Sequence, residues 1–495
     1  MQLAEFNQPI LIGCEAGARA AGLATTDVRE ARLSYDGATD NKRRKSPSAT
    51  IKSEDDELTP AKRKKLQANA NDIQRNFEVG AWAIRKHLDF VTSFSFASNN
   101  AESVISPEAD AGMQSLQRER SQLDDDIEGI ITEASAAEHC DSAARHDLAT
   151  MLRLAEARAT VTGDHGLYEL ADGTIQSIES DRIRDPSGVD KIRDAKIIHG
   201  VQVDGRGRSV RYAIHSRTSG GGYKFERWVP AAHMMMRGYY ERTDQVRGIS
   251  PMAPAVNRLR DVYEGFDYAL AKAKIAQLFG FKINRNGDDS LGPVLNVAAD
   301  EEPPDYEIDL GEGPWMLDLM PGDEADIMET STPSDQFQTY TEMMIAVALL
   351  SLDLPWNFFK VDATNFFGSR AALNLYMQSV KPKRRANLTL LNRWTRRQLQ
   401  LAILRKKLVL PRSMTVDDLR YGWTPDGLPW WNPSQEADGA LKSLGAGLDN
   451  PQRICLETGT NFFDNVDRIA EAHAYAKARG VELSFALAGG VTIQQ

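Results

Sequence analysis

The residues from Gln245 to Pro254 read QVRGISPMAP, and they mark a junction followed at once by a helix. Glycine has no side chain, so Gly248 permits a close approach of two backbone segments. Ser250 is a residue type that caps helices, and Pro251 and Pro254 suit a first helical turn. This segment therefore predicts a tight turn of the backbone at the head of a long helix.

Downstream of this junction, apolar residues recur at helical spacing, at Val256, Leu259, Val262, Tyr263, Phe266, Leu270, Ile275 and Leu278. About 26 residues at 1.5 Å each predict a rod of about 40 Å. Residues 281–333 are rich in Gly, Pro and acids, with strand-like runs at Pro293–Val297 and Pro314–Leu319, which predicts a small inserted module. A second helix is predicted over about 334–351 with Ser334 as its N-cap. An aromatic loop over 354–368 and a very long helix from 369 to about 407 follow.

Upstream of the junction, the pattern predicts helices and then strands. Thr59 and Pro60 suit the cap and first position of a helix, and a second helical region covers about 108–160. Strands are predicted at Ile175–Ile183, Ala195–Val203, Ser209–His215 and Tyr223–Val229. Asp204-Gly205 is a typical hairpin turn between the second and third of them. The predicted fold class is therefore α+β and mainly helical.

Residues 1–60 have poor periodicity and predict an extended or partly disordered arm. This segment holds a basic cluster, Lys42–Lys45, and an acidic cluster, Glu54–Glu57. We interpret the basic cluster as a solvated surface run, although a nucleic-acid patch is the alternative.

Composition narrows the possible function. The net charge of −11 argues against a general nucleic-acid binder, but a channel along which DNA slides should also avoid tight phosphate neutralisation. The three cysteines, Cys14, Cys140 and Cys455, form no CxxC pair, which favours a reducing compartment and argues against a structural zinc site. The chain contains no run of about 18 apolar residues, so no membrane helix is predicted. Its N-terminus lacks the basic region with which a signal peptide begins, so no signal peptide is predicted.

A basic run contrasts with the acidic chain. Residues 363–416 contain twelve Lys or Arg and no Asp or Glu. One hypothesis is a surface that meets DNA or an acidic partner. The other is a helix paired with acidic surfaces of the same chain or of a neighbouring subunit.

The sequence offers weak evidence for an enzyme. His139, Cys140, Asp141 and His146 are close along the chain, but helical spacing would separate the two histidines by two turns, so we interpret the grouping as incidental. The glycines at 220–222 lack the phosphate-loop pattern and predict a hairpin tip.

Several segments, in order, resemble the lambda-type portal family of tailed bacteriophages. Gln245, Arg247, Gly248, Ser250 and the Ala253-Pro254 pair match that family's Q-x-R-G-x-S-x-x-A-P signature. Leu259–Glu264 match the residues that usually follow this signature in the family. Leu354-Pro355 and Asp362–Leu373 match the family's loop-to-helix segment. Trp423–Pro425 and Trp430–Ala437 match its C-terminal tryptophan segment. In the last segment Asn432 and Gln435 replace the family's Asp and Lys. The resemblance covers about 190–480.

The resemblance implies a portal fold with wing, stem, clip, tunnel loop and crown. The implied segments are an arm (1–58), wing (59–249), stem helix (250–280), clip (281–333), second stem helix (334–352), tunnel loop (353–368), long wing helix (369–410) and C-terminal wing or crown (411–495). It also implies a twelve-fold ring at one capsid vertex that conducts double-stranded DNA. Implied partners are the terminase large subunit, head–tail adaptor or tail proteins, and capsid or scaffolding protein. It implies a virion protein, assembled in the host cytoplasm, with no enzymatic activity, cofactor, metal or membrane contact.

The resemblance also assigns candidate site residues. The polar side chains of the tunnel loop that could touch phosphates are Asn357, Lys360, Thr364 and Asn365. The clip surface for basic partners holds Glu301, Glu302, Asp305 and Glu307, and the basic helix holds Lys383, Arg384, Arg385, Arg393, Arg396 and Arg397. The loop aromatics either position the loop against a helix or seal subunit contacts. The rival interpretations are another ring-forming head or tail protein and, more remotely, a metal-dependent DNA-processing enzyme.

Overall fold

A computed structural model of the chain describes residues 50–100, 111–187, 196–277, 281–285, 323–327, 335–360, 366–411, 414–427 and 432–481. The chain divides into two compact units, Met1–Glu57 and Leu58–Gln495. In the first unit the described residues include helix α1 (Glu54–Glu57), whose start is capped by Ser53. The predicted arm up to residue 49, including Lys42–Lys45, lies outside the described residues.

The second unit begins with helices and continues into strands. Its elements up to the junction are α2 (Pro60–Asn76), α3 (Glu78–Val91), β1 (Phe94–Ser98), α4 (Ala111–Ser135), α5 (Ala137–Cys140), α6 (Leu148–Thr162), β2 (Asp164–Glu169), β3 (Ile175–Glu179), β4 (Lys196–Ile198), β5 (Val201–Val203), β6 (Ser209–Arg217), β7 (Tyr223–Pro230) and β8 (Met234–Gly238). Those after it are α7 (Val256–Gln277), β9 (Phe281–Arg285), β10 (Asp323–Ile327), α8 (Asp335–Leu349), α9 (Trp356–Phe359), α10 (Phe366–Leu404), β11 (Tyr421–Pro425), α11 (Pro433–Gly445), α12 (Pro451–Thr458) and α13 (Phe462–Ala478). The predicted α+β, mainly helical class is confirmed.

Local capping explains several helix starts. Thr59 accepts a hydrogen bond from the backbone N–H of Lys62 at 3.5 Å, and Pro60 occupies the first turn of α2, as predicted. Asp147 accepts from the N–H of Thr150 at 2.8 Å and caps α6. The region predicted as helical over 108–160 is therefore three helices, α4, α5 and α6, within its described part.

The strands form small antiparallel sheets. The orders are β3-β2-β8, β4-β5-β6-β7, β1-β11 and β9-β10. The prediction of one strand over Ala195–Val203 is wrong: His199 and Gly200 have φ angles of 46° and 85° and fold it into a hairpin, β4 and β5. The next hairpin turns at Asp204 as predicted, where the Asp204 carboxylate accepts from the N–H groups of Arg206 and Arg208.

Three apolar cores hold these elements together. One lies among α2, α3, α7, α8 and α10 and includes Ile84, Leu259 and Tyr376. The second lies among α4, α6 and α10 around Trp394, and the third lies beneath the four-stranded sheet around Ile214. Helix α10 therefore joins the first two cores along its 39 residues.

The long helices differ slightly from their predicted limits. Regular helix α7 begins at Val256, because Pro251 and Pro254 lie in preceding turns rather than in the helix. Helix α10 begins at Phe366, three residues before the predicted start, and ends at Leu404, just before Lys406 adopts a φ of 60°. Ser334 and the predicted strands at 293–297 and 314–319 lie outside the described residues. Among those that are described, none of the helices is both long and apolar enough to cross a membrane.

Candidate functional site

The junction Gln245–Pro254 is organised around a buried arginine. Arg247 is 1% exposed and forms two hydrogen bonds with the Asp164 carboxylate, from Nε at 2.7 Å and from Nη2 at 2.8 Å. Its Nη1 donates to the carbonyls of Ile183 at 3.0 Å and His199 at 2.6 Å, and its Nη2 also donates to the Ser180 carbonyl at 3.0 Å. One side chain thus ties the two larger sheets to the start of α7.

Asp164 is the shared acceptor of this cluster. It is fully buried at the start of β2 and also accepts from Arg63 Nη2 at 3.1 Å, from the backbone N–H of Gly248 at 2.9 Å and from the Ser180 hydroxyl. Burial alone would raise the pKa of this carboxyl, but the guanidiniums of Arg247 and Arg63 hold it well below its usual range. The carboxylate is therefore charged, and helix α2, strand β2 and the junction are fixed to one anion.

The glycine of the junction allows direct backbone contact with the end of α6. A Cβ on Gly248 would lie 2.2 Å from the carbonyl oxygen of Gly163, which is closer than atoms can pack. The sequence-based prediction of a close approach is confirmed. Ser250 donates from Oγ to the Thr160 carbonyl at 2.7 Å and accepts from the N–H of Met252 at 3.1 Å. It caps the turn before α7 rather than the helix itself.

Gln245 closes the junction on its other side. Its Nε2 donates to the carbonyls of Arg247 at 2.8 Å and Tyr239 at 3.3 Å, and its Oε1 accepts from the N–H of Glu241 at 3.0 Å. The side chain thereby satisfies backbone groups of a segment that is neither helix nor strand. Each polar member of the motif therefore has a structural role in the described contacts.

A second buried ionic cluster, the Glu156 cluster, lies between α3, α6 and β8. Arg237 donates to Glu156 from Nε at 2.5 Å and from Nη2 at 3.0 Å, and the Tyr239 hydroxyl also donates to Glu156 at 2.5 Å. His87 Nε2 lies 3.1 Å from the same carboxylate oxygen. His87 Nδ1 is buried and has no hydrogen-bond partner among the described residues, so a proton there would have no acceptor.

The Glu156 cluster predicts loss of stability in acid. Burial lowers the pKa of His87 below 6.5, so the unfolded chain binds more protons at this residue than the folded chain as pH falls below that value. Burial also lowers the pKa of His165 to about 4, with the same sign. Between pH 7 and pH 5 the free energy of unfolding should fall, by at most about 1.4 kcal/mol per pH unit for each histidine. Urea unfolding at each pH, followed by tryptophan fluorescence, measures this slope.

The matched variants for this pH prediction are two histidine replacements. His87→Gln should reduce the slope between pH 7 and pH 5, because the group that takes up the proton on unfolding is gone. His233→Gln, at an exposed position, should leave it unchanged. Equal slopes in all three proteins would contradict a role for His87.

The described part of the predicted tunnel loop packs inside the subunit. Lys360 Nζ forms an ion pair with Glu342 of α8, at 2.9 and 3.1 Å, and Asn357 is half-buried. Aromatic ring pairs join this segment to α3 and α10; they are Phe90–Phe358, Phe358–Tyr376 and Trp82–Phe359. Phe358 and Phe359 thus pack this segment against neighbouring helices, whereas Phe367 is 78% exposed. Thr364 and Asn365 lie outside the described residues, as do the clip residues Glu301, Glu302, Asp305 and Glu307.

The basic helix α10 is paired in part with acids of the same chain. The ion pairs are Lys383–Asp353 at 2.8 Å, Arg393–Glu169 at 2.6 Å and Arg396–Asp417 at 2.5 Å. Arg384 donates to the Phe90 carbonyl at 2.6 Å. Arg385 and Arg397 have no acidic partner within 4.0 Å in the described parts of the chain. Internal pairing therefore accounts for Lys383, Arg393 and Arg396, and a surface that meets DNA or an acidic partner stays a prediction for the remaining cations.

Two of the four residues weighed as metal ligands, Cys140 and Asp141, have other roles. The Asp141 carboxylate accepts from the backbone N–H groups of Ala143 at 3.0 Å and Arg145 at 3.1 Å. Cys140 lies in the second core, where burial raises the pKa of its thiol to about 12. Within the described ranges, no group of three or more His, Cys, Asp or Glu side chains is placed to hold a metal ion.

Comparison with protein-family models identifies the family of the chain that carries this junction. Residues 40–382 match the family model for "Phage portal protein, lambda family", which is 343 of the 495 residues. The chain belongs to the lambda family of phage portal proteins. The resemblance carried by Gln245–Pro254 is thereby confirmed, and the portal family is one of structural proteins. A search of curated proteins found no match.

Three solved structures are similar to this portal protein at low identity. The neck of an empty gene transfer agent particle, computed with C6 symmetry, is 16% identical over 81% of this chain and 94% of that chain, with a TM-score of 0.46. The virion of a native gene transfer agent particle is 15% identical over 81% and 99%, with a TM-score of 0.44. The neck of a native particle, computed with C12 symmetry, is 16% identical over 79% and 93%, with a TM-score of 0.41. All three are distant likenesses.

Sequence reasoning found Arg247 but missed Asp164 and the Glu156 cluster. Asp164 is 83 residues from Arg247, and Glu156 is 81 residues from Arg237. Pairing over such distances follows from the fold and not from local pattern. The sequence signal that could have pointed to Asp164 was its position directly after Gly163 at the end of a helical region.

Proposed function

We propose that this portal protein assembles into a twelve-membered ring at one vertex of a phage capsid, through which DNA passes during packaging and ejection. The observation that carries the ring is an exposed apolar face on α7 and α8. Four residues of α8 or the turn after it are 40–66% exposed at helical spacing; they are Tyr340, Met343, Val347 and Leu350. On α7, Tyr263, Phe266 and Leu270 are 38–53% exposed. Apolar stripes of this length usually mark a protein interface.

Each segment of the chain forms a different part of the ring. Residues 59–249 form the wing, 250–280 and 334–352 the stem helices, and 281–333 the clip. Residues 353–368 form the tunnel loop, and 369–410 a long wing helix followed by the C-terminal wing or crown. Asn357, Lys360, Thr364 and Asn365 are the loop residues that contact phosphates, and Lys360 exchanges its ion pair with Glu342 for a phosphate when it does so. The duplex is sensed by shape and charge because packaging must accept any sequence.

The partners follow from the same proposal. The clip acids Glu301, Glu302, Asp305 and Glu307 meet basic surfaces of the terminase large subunit and later of adaptor or tail proteins. The wing contacts capsid or scaffolding protein. The protein acts in the virion as a structural conduit without enzymatic activity or a cofactor.

Native mass spectrometry with negative-stain imaging tests the ring. Twelve chains of 54.9 kDa give about 659 kDa, and imaging should show a ring with a central hole. Six-fold rings of about 329 kDa, six times 54.9 kDa, would favour a tail protein instead. A chain that stays monomeric at all concentrations would contradict the proposal.

The apolar stripe gives a sharper prediction. A double variant, Met343→Glu with Val347→Glu, places charges in an interface that must exclude water. We expect at least a tenfold drop in the ring fraction at fixed subunit concentration, measured by mass photometry, with an unchanged circular dichroism spectrum. Lys224→Glu, at an exposed position of strand β7, is the control and should assemble like the parent. Full assembly of the double variant would exclude this face from the interface.

A further inference from the structure

Helix α10 has an exposed face without a carboxylate over thirty residues. The exposed positions that follow this face at three- and four-residue steps are Phe367, Ala371, Asn374, Gln378, Lys381, Arg385, Thr389, Asn392 and Arg396. Arg396 is paired with Asp417. Lys381 and Arg385 have no acidic group within 4.0 Å in the described residues. Two cations on this face are therefore left without an ion-pair partner in the part of the chain that the structure describes.

A surface of opposite charge, made of acidic side chains, lies on α4 and α13. Asp125, Asp464 and Asp467 are exposed, and none has a basic partner within 4.0 Å among the described side chains. Glu128 is half-buried beside them and accepts from the backbone N–H of Ser98 at 2.9 Å. Its partial burial and the charges of Asp464, Asp124 and Asp125 raise the pKa of Glu128 above its usual value. Several acids thus lie close together here, and Asp125, Asp464 and Asp467 form no ion pair within 4.0 Å among the described side chains.

Backbone contacts keep the acidic surface in place on the body of the subunit. A Cβ on Gly427 would lie 1.9 Å from the Thr458 carbonyl carbon, so the segment after β11 and the end of α12 are in direct backbone contact. Asn461, which caps α13, donates to the Asn99 side chain at 3.4 Å. The acids of α13 are therefore held beside those of α4 and are not on a free tail.

Both surfaces also expose apolar side chains. Phe367 and Leu375 of α10 are 78% and 73% exposed, and Val466 and Ile469 of α13 are 45% and 49% exposed. Polar complementarity can set the register of a contact, while apolar groups supply its buried area. The α10 face is thus basic and the α4–α13 surface acidic, and both expose apolar side chains.

We propose that the exposed face of α10 in one subunit docks on the α4–α13 acidic surface of the next subunit in the ring. A ring requires a head-to-tail contact, in which two different surfaces of the same chain are complementary, and these two surfaces meet that requirement. Lys381 and Arg385 pair with Asp464 and Asp467 across the contact. The inference rests on the proposed ring, and it assigns the basic face to a second copy of this chain rather than to DNA.

Charge reversal on each side, alone and together, tests the contact. The basic-side variant is Lys381→Glu with Arg385→Glu, and the acidic-side variant is Asp464→Lys with Asp467→Lys. Each should lower the ring fraction by about tenfold at low salt, because like charges then face each other. An equimolar mixture of the two variant proteins should assemble better than either alone, because an alternating ring pairs Glu with Lys at one contact and the native charges at the next. The quadruple variant should likewise recover ring formation to within about threefold of the parent. Mass photometry at about 50 mM and 500 mM salt measures this, with Lys224→Glu, an exposed site elsewhere, as the control.

The outcomes separate this inference from the proposed function. Recovery in the quadruple variant supports the contact. Full rings in both single-side variants would overturn the contact while leaving the ring intact. Intact rings that lose retention on immobilised duplex DNA would also overturn it, and would assign Lys381 and Arg385 to DNA. Failure of the unmodified chain to form any ring would overturn the proposed function as well.

Discussion

Replacing Asp164 with alanine is expected to lower the free energy of unfolding by about 3–5 kcal/mol, because it leaves buried charges without a partner. Arg247 and Arg63, 1% and 7% exposed, would both lose their shared anion. The backbone N–H of Gly248 would lose its acceptor as well. Urea unfolding at pH 7, followed by tryptophan fluorescence, measures the change in midpoint.

The control for this prediction is an exposed ion pair just before Arg247 in the sequence. Arg242 and Asp244 lie 3.3 Å apart with side chains 40% and 41% exposed. Exposed pairs contribute about 0–1 kcal/mol, so Asp244→Ala should barely shift the midpoint. Equal midpoints for the Asp164 and Asp244 variants would show that the buried cluster does not stabilise the junction. Asp164→Asn, which keeps the volume but removes the charge, should resemble the alanine variant.

The residues that could be predicted from sequence are those whose role is local. The glycine approach at Gly248 and the cap at Thr59 depend on neighbouring residues and on backbone geometry, and both are confirmed. The long α10 was predicted within three residues of each end because its apolar spacing is continuous. What was missed depends on distant partners.

Two kinds of feature were not accessible to local reasoning. Strands β2 and β8 pair with each other across 70 residues, and both are buried on most of their length, so they lack the alternation of polar and apolar residues that marks a half-exposed strand. The β4–β5 hairpin depends on His199 in the left-handed region, which is uncommon for a residue with a side chain. For the candidate site, the basic run was visible, but which cations are paired inside the subunit depends on the position of Glu169, Asp353 and Asp417.

Replacing Gly248 with alanine is expected to cost about 2–4 kcal/mol of unfolding free energy, because the added methyl group has no space. Its Cβ would lie 2.2 Å from the Gly163 carbonyl oxygen and 2.8 Å from the carbonyl carbon. Both are backbone atoms at the end of α6, held by the Glu156 and Asp164 clusters on either side. Relief therefore requires moving the junction away from α6, which would also lengthen the Gly248 hydrogen bond to Asp164. Thermal unfolding by differential scanning calorimetry measures the loss.

Gly265→Ala, in the same segment of chain, is the matched control with the opposite expected sign. Gly265 lies within α7, and the nearest atom to an added Cβ is 4.0 Å away on Phe337, so the methyl group fits. Because glycine inside a helix costs about 0.5–1 kcal/mol relative to alanine, this variant should be slightly more stable than the parent. A Gly248 variant as stable as the Gly265 variant would mean that the junction can separate from α6 freely. In that case the Q-x-R-G-x-S motif would hold α7 through its polar side chains, chiefly Arg247 and Ser250, and the close backbone contact would have no part in positioning the stem.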